Sequence, residues 1–262
     1  MIFLRVVATE FLKLRRCKVT WVSLGVYVIM TAMSGFFLWI LKNPGMAESL
    51  GLIGQKARFA FGGQRADWAT FLGFTVEVGG VGGLLMSAVI ATYVYGREYA
   101  EGTAKNLLAL PIPRSRFVLA KIAVVAVWFG SLTFALLPAA WLVGAAIGLG
   151  AAPAPLFASA AARLALLYLM SLGCAMPVAW VAVKTRGYFA PFGFAVFTLV
   201  IATTFGRTGW APYIPWSVVG LASGASGEIP DLGWMSYATV AATFLAGAAL
   251  TIRHESYADN GQ

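Results

Sequence analysis

The sequence predicts an all-α polytopic membrane protein with six transmembrane helices. Of its 262 residues, 60 % are hydrophobic and 11 % are charged, whereas a soluble domain carries roughly 25 % charged residues. Long apolar runs separated by polar segments recur along the chain, and each can supply the roughly 20 residues that a helix needs to cross a bilayer. These observations exclude an ordinary water-soluble domain.

The apolar runs give the order of the predicted spans. They cover about residues 19–41, 71–95, 117–149, 156–183, 188–205 and 234–252. Pro138 and Pro177 lie inside the third and fourth runs, where a proline without a backbone N–H is expected to kink the helix. Residues 19–252 therefore form the predicted transmembrane domain, and residues 253–262 form a polar tail.

Residues 1–18 are basic, with apolar residues interleaved. This pattern predicts an amphipathic helix in the headgroup region, with its lysines and arginines facing anionic lipid. A signal peptide is the competing interpretation. The apolar run that follows is too long for a signal core of about 7–15 residues and lacks a small-residue cleavage site, so we assign it to the first span.

The basic residues between the spans predict the orientation. With both termini in the cytoplasm, most of these lysines and arginines fall on the cytoplasmic side, as the positive-inside rule requires. The net charge of +9 then reflects topology and contact with anionic lipid rather than binding to nucleic acid. Aromatic residues near the span ends are predicted interfacial anchors: Trp21, Trp39, Tyr95, Tyr188 and Trp234.

The polar segment at residues 96–117 is predicted to be the main cytoplasmic loop, between spans two and three. Gly102 is a poor helix-interior residue and marks a break. Thr103 is placed to cap a new short helix, which runs through about residue 110 and is ended by Pro111. Its leucines share one face at helical spacing, so the loop holds a predicted amphipathic helix at the membrane surface.

The loop also carries a recognisable order of residues, which are Glu98, Glu101, Gly102, Thr103, Leu107, Leu108, Pro111, Arg114, Arg116 and Lys121. Together with Glu10, Lys13 and Arg15 near the N-terminus, this order resembles ABC transporter permeases of the type-2 export class, which include exporters of bacitracin, lantibiotics and drugs. The six-span layout fits the same family, so the resemblance covers the whole chain.

The resemblance implies that the loop is a coupling helix, which docks into a separate ABC ATPase subunit carrying ATP and magnesium. The chain itself has no G-x-x-x-x-G-K-[ST] phosphate loop and therefore no nucleotide cradle. The family further implies a second permease subunit, identical or homologous, and a bacterial inner membrane location. With a single histidine, we expect no metal or cofactor on this chain.

Residues 206–233 are apolar but interrupted by glycines and prolines, so they cannot form one continuous spanning helix. The segment predicts a re-entrant or interfacial pair of short helices on the outer side, between spans five and six. Such a segment is tolerated where other protein covers its freed backbone groups. The resembling family places re-entrant helices at this position.

Two interpretations of Glu98 and Glu101 remain open. They lack a nucleophile for acid–base chemistry, so the simpler interpretation is a solvated helix end, with Glu101 paired to Lys105 at i,i+4. In the docking interpretation, these carboxylates meet basic residues of a partner. The apolar face of Leu107 and Leu108 is then the anchor.

Glu77 is the one acid predicted within a span. Intramembrane acids are functional candidates, as proton relays or substrate contacts; alternatively, Glu77 reaches the interface, because it lies about two turns from the outer end of its span. Gly79, Gly80, Gly82 and Gly83 follow it. Small residues at this spacing permit close helix packing, which we favour over phosphate binding because the run lies in lipid.

The leading functional prediction is the permease subunit of an ATP-driven exporter. The largely apolar spans suit an amphiphilic cargo such as a peptide antibiotic, a drug or a lipid-like molecule, and antibiotic self-protection is common in the resembling family. A membrane scaffold that recruits a cytoplasmic partner without transport is the alternative, since it also needs a docking helix. A membrane-embedded enzyme would need clustered carboxylates or histidines, which the sequence pattern does not show.

Overall fold

The computed structural model describes residues 2–15, 17–51, 65–103, 113–225 and 232–257, which fold as helices and connecting turns without a strand. The helices are α1 (Ile2–Arg15), α2 (Lys18–Lys42), α3 (Pro44–Ser49), α4 (Trp68–Ala100), α5 (Arg114–Ile147), α6 (Ala154–Thr185), α7 (Phe189–Phe205), a 3₁₀ turn (Ala211–Tyr213), α8 (Pro215–Ser223) and α9 (Trp234–Tyr257). The predicted N-terminal helix is therefore present as α1.

The helices α2, α4, α5, α6 and α9 are long and apolar enough to cross a bilayer. α7 is apolar but has only 17 residues, which gives a length of about 26 Å at 1.5 Å per residue. The hydrocarbon core of a bilayer is about 30 Å thick. These six helices match the six predicted apolar runs, and the protein is an all-α polytopic membrane protein.

The helices α4 and α6 form the centre of the bundle, and the other long helices pack around them. Glycines allow this close approach: a Cβ at Gly79 would lie 2.6 Å from the Leu164 side chain of α6, and one at Gly82 would overlap Met30 of α2. The prediction that the glycine run serves helix packing is confirmed.

Pro138 and Pro177 both lie inside continuous helices, α5 and α6. At the second proline, α9 approaches the backbone of α6. A Cβ at Gly247 would lie 2.6 Å from both the Met176 carbonyl carbon and the Pro177 nitrogen. Two main chains therefore pack directly against each other where the proline interrupts the hydrogen-bond ladder.

Between α7 and α9 the chain forms short helices instead of a span, as predicted. α8 has nine residues and a length of about 14 Å, too short to cross a bilayer. It packs against α4, α6 and α7, and its Ser217 hydroxyl donates to the Ala202 carbonyl at 3.3 Å. Other protein thus covers this irregular segment, as a membrane environment requires. Residues 226–231 of the predicted segment lie outside the described ranges.

One of the predicted interfacial aromatic residues is instead a core residue. Tyr95 is 1 % exposed, and its hydroxyl donates to the Val118 carbonyl of α5 at 3.2 Å. The anchor prediction was wrong for Tyr95 because α5 packs over the end of α4. Trp21 and Trp234, by contrast, are exposed.

The contact between α9 and α6 makes a prediction about stability. Gly247→Ala places a methyl group against backbone atoms that cannot move aside, so we expect the free energy of unfolding to fall by about 1–3 kcal/mol. Thermal unfolding of the detergent-solubilised protein measures the change. Gly25→Ala is the control, because a Cβ at Gly25 meets no atom within 4 Å. Equal shifts in the two variants would contradict the packing argument.

Candidate functional site

Five charged side chains from three helices meet at one end of the bundle. This charged cluster consists of Glu10 and Lys13 of α1, Arg97 and Glu98 of α4, and Lys121 of α5. At its centre, the Glu98 carboxylate accepts hydrogen bonds from Lys121 Nζ at 2.6 Å and from Lys13 Nζ at 3.3 Å. Glu10 pairs with Lys13, and Arg97 Nη2 lies 4.0 Å from Glu10 Oε2.

The central pair of the charged cluster is buried, with Glu98 5 % and Lys121 3 % exposed. Removing a charge from water costs several kcal/mol unless opposite charges and hydrogen bonds replace the water. For Glu98, the ammonium groups of Lys121 and Lys13 replace the water. Lys121 Nζ also lies 5.3 Å from the ring centre of Tyr95, whose face attracts a cation. The charged cluster therefore joins α1, α4 and α5 at one point.

The expectation that Glu98 is a solvated helix end is wrong. Its two lysine partners lie 85 and 23 residues away in the sequence, so no local spacing rule connects them. Glu101 is exposed, and its Oε2 lies 3.9 Å from Nε of Arg97, four residues earlier. Lys105, the expected partner of Glu101, lies outside the described residues.

The helix α4 ends in a tight turn directly after Glu98. The Thr103 N–H donates to the Glu98 carbonyl at 2.9 Å, and the Gly102 N–H donates to the Tyr99 carbonyl at 3.2 Å. This pair of bonds is the Schellman motif. Gly102 has φ +69°, a conformation that favours a residue without Cβ. The predicted break at Gly102 is confirmed.

The remaining docking candidates in the loop are placed only in part. Leu107, Leu108 and Pro111 lie outside the described residues, which resume at Pro113. The short helix that Thr103 was expected to cap also lies there. The Thr103 hydroxyl donates back to the Glu98 carbonyl at 3.4 Å, so this side chain contacts the end of α4.

The last turn of α9 connects the two flanks of the loop. The Tyr99 hydroxyl, near the start of the loop, donates to Glu255 Oε1 at 2.8 Å. Arg114, near the end of the loop, donates from Nη1 to the Glu255 carbonyl at 3.0 Å. Sequence reasoning missed Glu255 because it falls in the predicted polar tail, whereas α9 continues as a helix to Tyr257.

Glu77 lies far from the charged cluster. It is half-buried and nine residues after the start of α4, which is about 14 Å along the helix axis. In the part of the chain that the structure describes, its carboxylate forms no ion pair with another side chain. Its functional and interfacial interpretations both remain predictions.

Arg163 is a charge within α6 that sequence reasoning missed. Its Nη2 donates to the carbonyl of Ser223, the last residue of α8, at 3.2 Å. The C-terminal end of a helix carries a partial negative charge and unpaired carbonyl groups. Arg163 therefore holds the end of the short helix α8 against α6. The sequence did contain a signal for Arg163, because a charged residue inside an apolar run is a candidate for a specific role.

Comparison with known proteins identifies the family. The family model described as "ABC-2 family transporter protein" matches residues 6–202 of this chain. The chain belongs to the ABC-2 transporter family. The ABC-2 permease is also 30 % identical over 180 residues to the bacitracin transport permease protein BCRB of Bacillus licheniformis, covering 65 % of this chain and 82 % of the relative. The resemblance predicted from the loop is confirmed.

Family membership establishes a multi-pass membrane permease of an ABC transporter, and it implies an ABC ATPase as partner. The charged cluster fits a structural role in such a subunit. Among the described residues, no group of three His, Cys, Asp or Glu side chains is placed to hold a metal ion.

Because Glu98 and Lys121 form a buried ion pair, replacing one of them should strongly lower the free energy of unfolding. Lys121→Met leaves Glu98 with only the partly exposed Lys13, so we expect the free energy of unfolding to fall by about 3 kcal/mol. Thermal unfolding in detergent measures this change. The control is Lys18→Met, which removes an exposed lysine of α2 and should change stability by less than about 0.5 kcal/mol.

A double substitution separates the ion pair from packing. If the loss in Lys121→Met arises from the uncompensated carboxylate, adding Glu98→Gln restores part of the stability. A double variant as unstable as the sum of its single variants would show that Glu98 and Lys121 do not stabilise each other.

Proposed function

We propose that this ABC-2 permease exports an amphiphilic compound, driven by a separate ATPase that docks on the cytoplasmic loop at residues 96–117. The main support is the attachment of the two loop flanks. Near the start of the loop, Glu98 joins α4 to α1 and α5; near its end, Arg114 joins α5 to α9. A partner bound to the loop thus acts on four helices at once.

In the proposed cycle, ATP and magnesium bind to the partner ATPase and to no part of this chain. Closure of the ATPase pair pushes on the loop, and the push reaches α4 through the turn at Gly102 and α9 through Glu255. Since α4 and α9 both pack on α6, their displacement shifts the centre of the bundle. Such a pump requires cargo affinities that differ between its two states.

The proposed cargo is a peptide antibiotic, a drug or a lipid-like molecule, and the proposed biological role is antibiotic resistance. Two observations support this choice. The relative BCRB is named for bacitracin transport, and the spans of this chain are largely apolar. An amphiphile suits a pathway between apolar helices better than a small ion does.

A second permease subunit, identical or homologous, is proposed to complete the pathway. Large apolar side chains are exposed on the outside of the bundle, including Val28 and Ile29 of α2 and Phe197 and Val200 of α7. Membrane lipid covers such side chains equally well, so their exposure supports a membrane setting and leaves room for a second subunit.

The proposed location is the bacterial inner membrane, with both termini in the cytoplasm. The contacts of α1 with Glu98, and of the last turn of α9 with both loop flanks, support a common side for these segments. The excess of basic residues in the same segments supports the cytoplasmic side.

Disruption of the loop tests the docking proposal. Leu107→Asp combined with Leu108→Asp places two charges on the proposed apolar anchor, so recovery of the ABC ATPase with the tagged chain should fall at least about tenfold. The measurement is mass spectrometry after mild cross-linking in native membranes. Leu50→Asp, which alters an exposed leucine beside α3, is the control and should retain the ATPase.

The same purified complex separates transport from the scaffold alternative. In proteoliposomes, an exporter changes its rate of ATP hydrolysis when cargo is added, and bacitracin is the first compound to test. A complex whose ATP turnover ignores every amphiphile offered would favour a scaffold. Recovery of no ATPase with the wild-type chain would remove the docking proposal itself.

A further inference from the structure

A cavity of about 300 Å³ lies between α4, α7 and α8, at the end of α7 that is remote from the charged cluster. Its lining includes Val81, Leu84, Leu199, Arg207, Trp216 and Gly220. The volume is at the lower end of the range for small-molecule sites, about 300–1,000 Å³. We call it the α8 cavity.

The lining of the α8 cavity is polar at one end and apolar along its depth. Arg207 lies two residues beyond the end of α7, whereas Leu199 lies six residues before that end, about 9 Å deeper along the helix axis. Val81 and Leu84 of α4 extend the apolar part. A charged group of a molecule that fills this cavity is therefore best placed at the Arg207 end.

Two hydrogen-bond donors of the lining have no acceptor among the described residues. Arg207 forms no ion pair there, and Trp216 Nε1 is buried without a partner. Among the described residues, no aspartate or glutamate lines the cavity. Because an unpaired buried N–H is unfavourable, the Trp216 N–H makes the lining complementary to a ligand that brings an acceptor. Arg207 is exposed at the mouth of the cavity, where its guanidinium favours an anionic group.

We propose that the α8 cavity binds an anionic amphiphile, with its phosphate or carboxylate at Arg207 and its alkyl chain against Val81 and Leu84. With a neutral amphiphile, the guanidinium has no counter-charge among the described residues. The inference deepens the proposed export of an amphiphile and rests on it for any role in transport, although binding itself needs no ATPase.

Gly220 provides a way to close the cavity without disturbing the bundle. A Cβ at this position would have no atom within 4 Å, so a larger side chain here extends into the α8 cavity. Gly220→Leu is therefore expected to exclude the alkyl chain. Gly220→Ala adds only a methyl group and favours the helix, which makes it the matched control.

The test uses the purified chain in phosphatidylcholine nanodiscs, with dodecyl phosphate that carries a photoreactive diazirine in its alkyl chain. We expect covalent labelling of peptides from α4 and α7 around Val81 and Leu199, displaced by unmodified dodecyl phosphate. Dodecyl glucoside with the same diazirine should label these peptides at least about fivefold less, since a charge-assisted hydrogen bond is lost.

Four variants locate the binding site. Arg207→Gln should reduce labelling by dodecyl phosphate about fivefold, and Gly220→Leu should abolish it, whereas Gly220→Ala and Arg65→Gln should retain it. Arg65 is exposed and does not line the cavity. Unfolding temperatures confirm that each variant is folded. Equal labelling by the glucoside, or labelling unchanged in both Arg207→Gln and Gly220→Leu, would overturn the proposal.

The complete complex with its ATPase distinguishes the source of the amphiphile. If labelling by dodecyl phosphate falls during ATP hydrolysis, the cavity takes transported cargo; if it persists, the cavity holds a resident membrane lipid. Both outcomes uphold binding. If labelling follows the variants but no ATPase associates with the chain, the cavity proposal stands and the proposed function fails.

Discussion

The burial of one carboxylate at the end of the helix bundle constrains much of this structure. Glu98 is removed from water, so it needs cations, and it takes one from α1 and one from α5. Each lysine has to cross from a different helix, and α1, α4 and α5 are therefore held in one arrangement. The cytoplasmic loop, on which we propose that the ATPase docks, continues from the turn that closes on the backbone carbonyl of Glu98.

The helix α4 connects this charged cluster to the rest of the molecule. Its 33 residues are about 50 Å long, longer than the hydrocarbon core. At one end it carries Glu98; nearer the other end it carries the glycine run, where a Cβ at Gly80 would lie 2.4 Å from Ser223 of α8. A displacement of α4 at the loop therefore reaches the short helix α8 and the cavity beside it through direct contacts.

The short helix α8 depends on its neighbours for its position. Nine residues cannot span a bilayer, and an isolated helix of this length is marginal even in water. Arg163 binds its C-terminal carbonyl group, and Ser217 donates to the backbone of α7. The same packing leaves the α8 cavity, because Gly220 presents no side chain toward it. Because α8 has little stability of its own and is held by these contacts, it can move when the contacts change.

Much of the fold was predictable, because it follows from local sequence patterns such as apolar runs and glycine positions. Each apolar run of suitable length appears as a helix within a few residues of its predicted bounds, and the longest extensions are equal, at the ends of spans two and six. The break at Gly102 also follows from a single residue, since glycine alone accepts the left-handed turn without strain. The role of the glycine run in packing was predictable because small residues favour close helix contact wherever helices pack in lipid.

By itself, the sequence determined the class of the protein, the order of its spans and its family, since hydropathy and short motifs are properties of contiguous residues. Only the tertiary structure decided the roles of Glu98, Tyr95 and Arg163. Whether a carboxylate is solvated or buried depends on which helices pack beside it, and the partners of Glu98 come from positions far along the chain. Contacts between distant helices leave no local pattern, so three-dimensional packing is what assigns these residues.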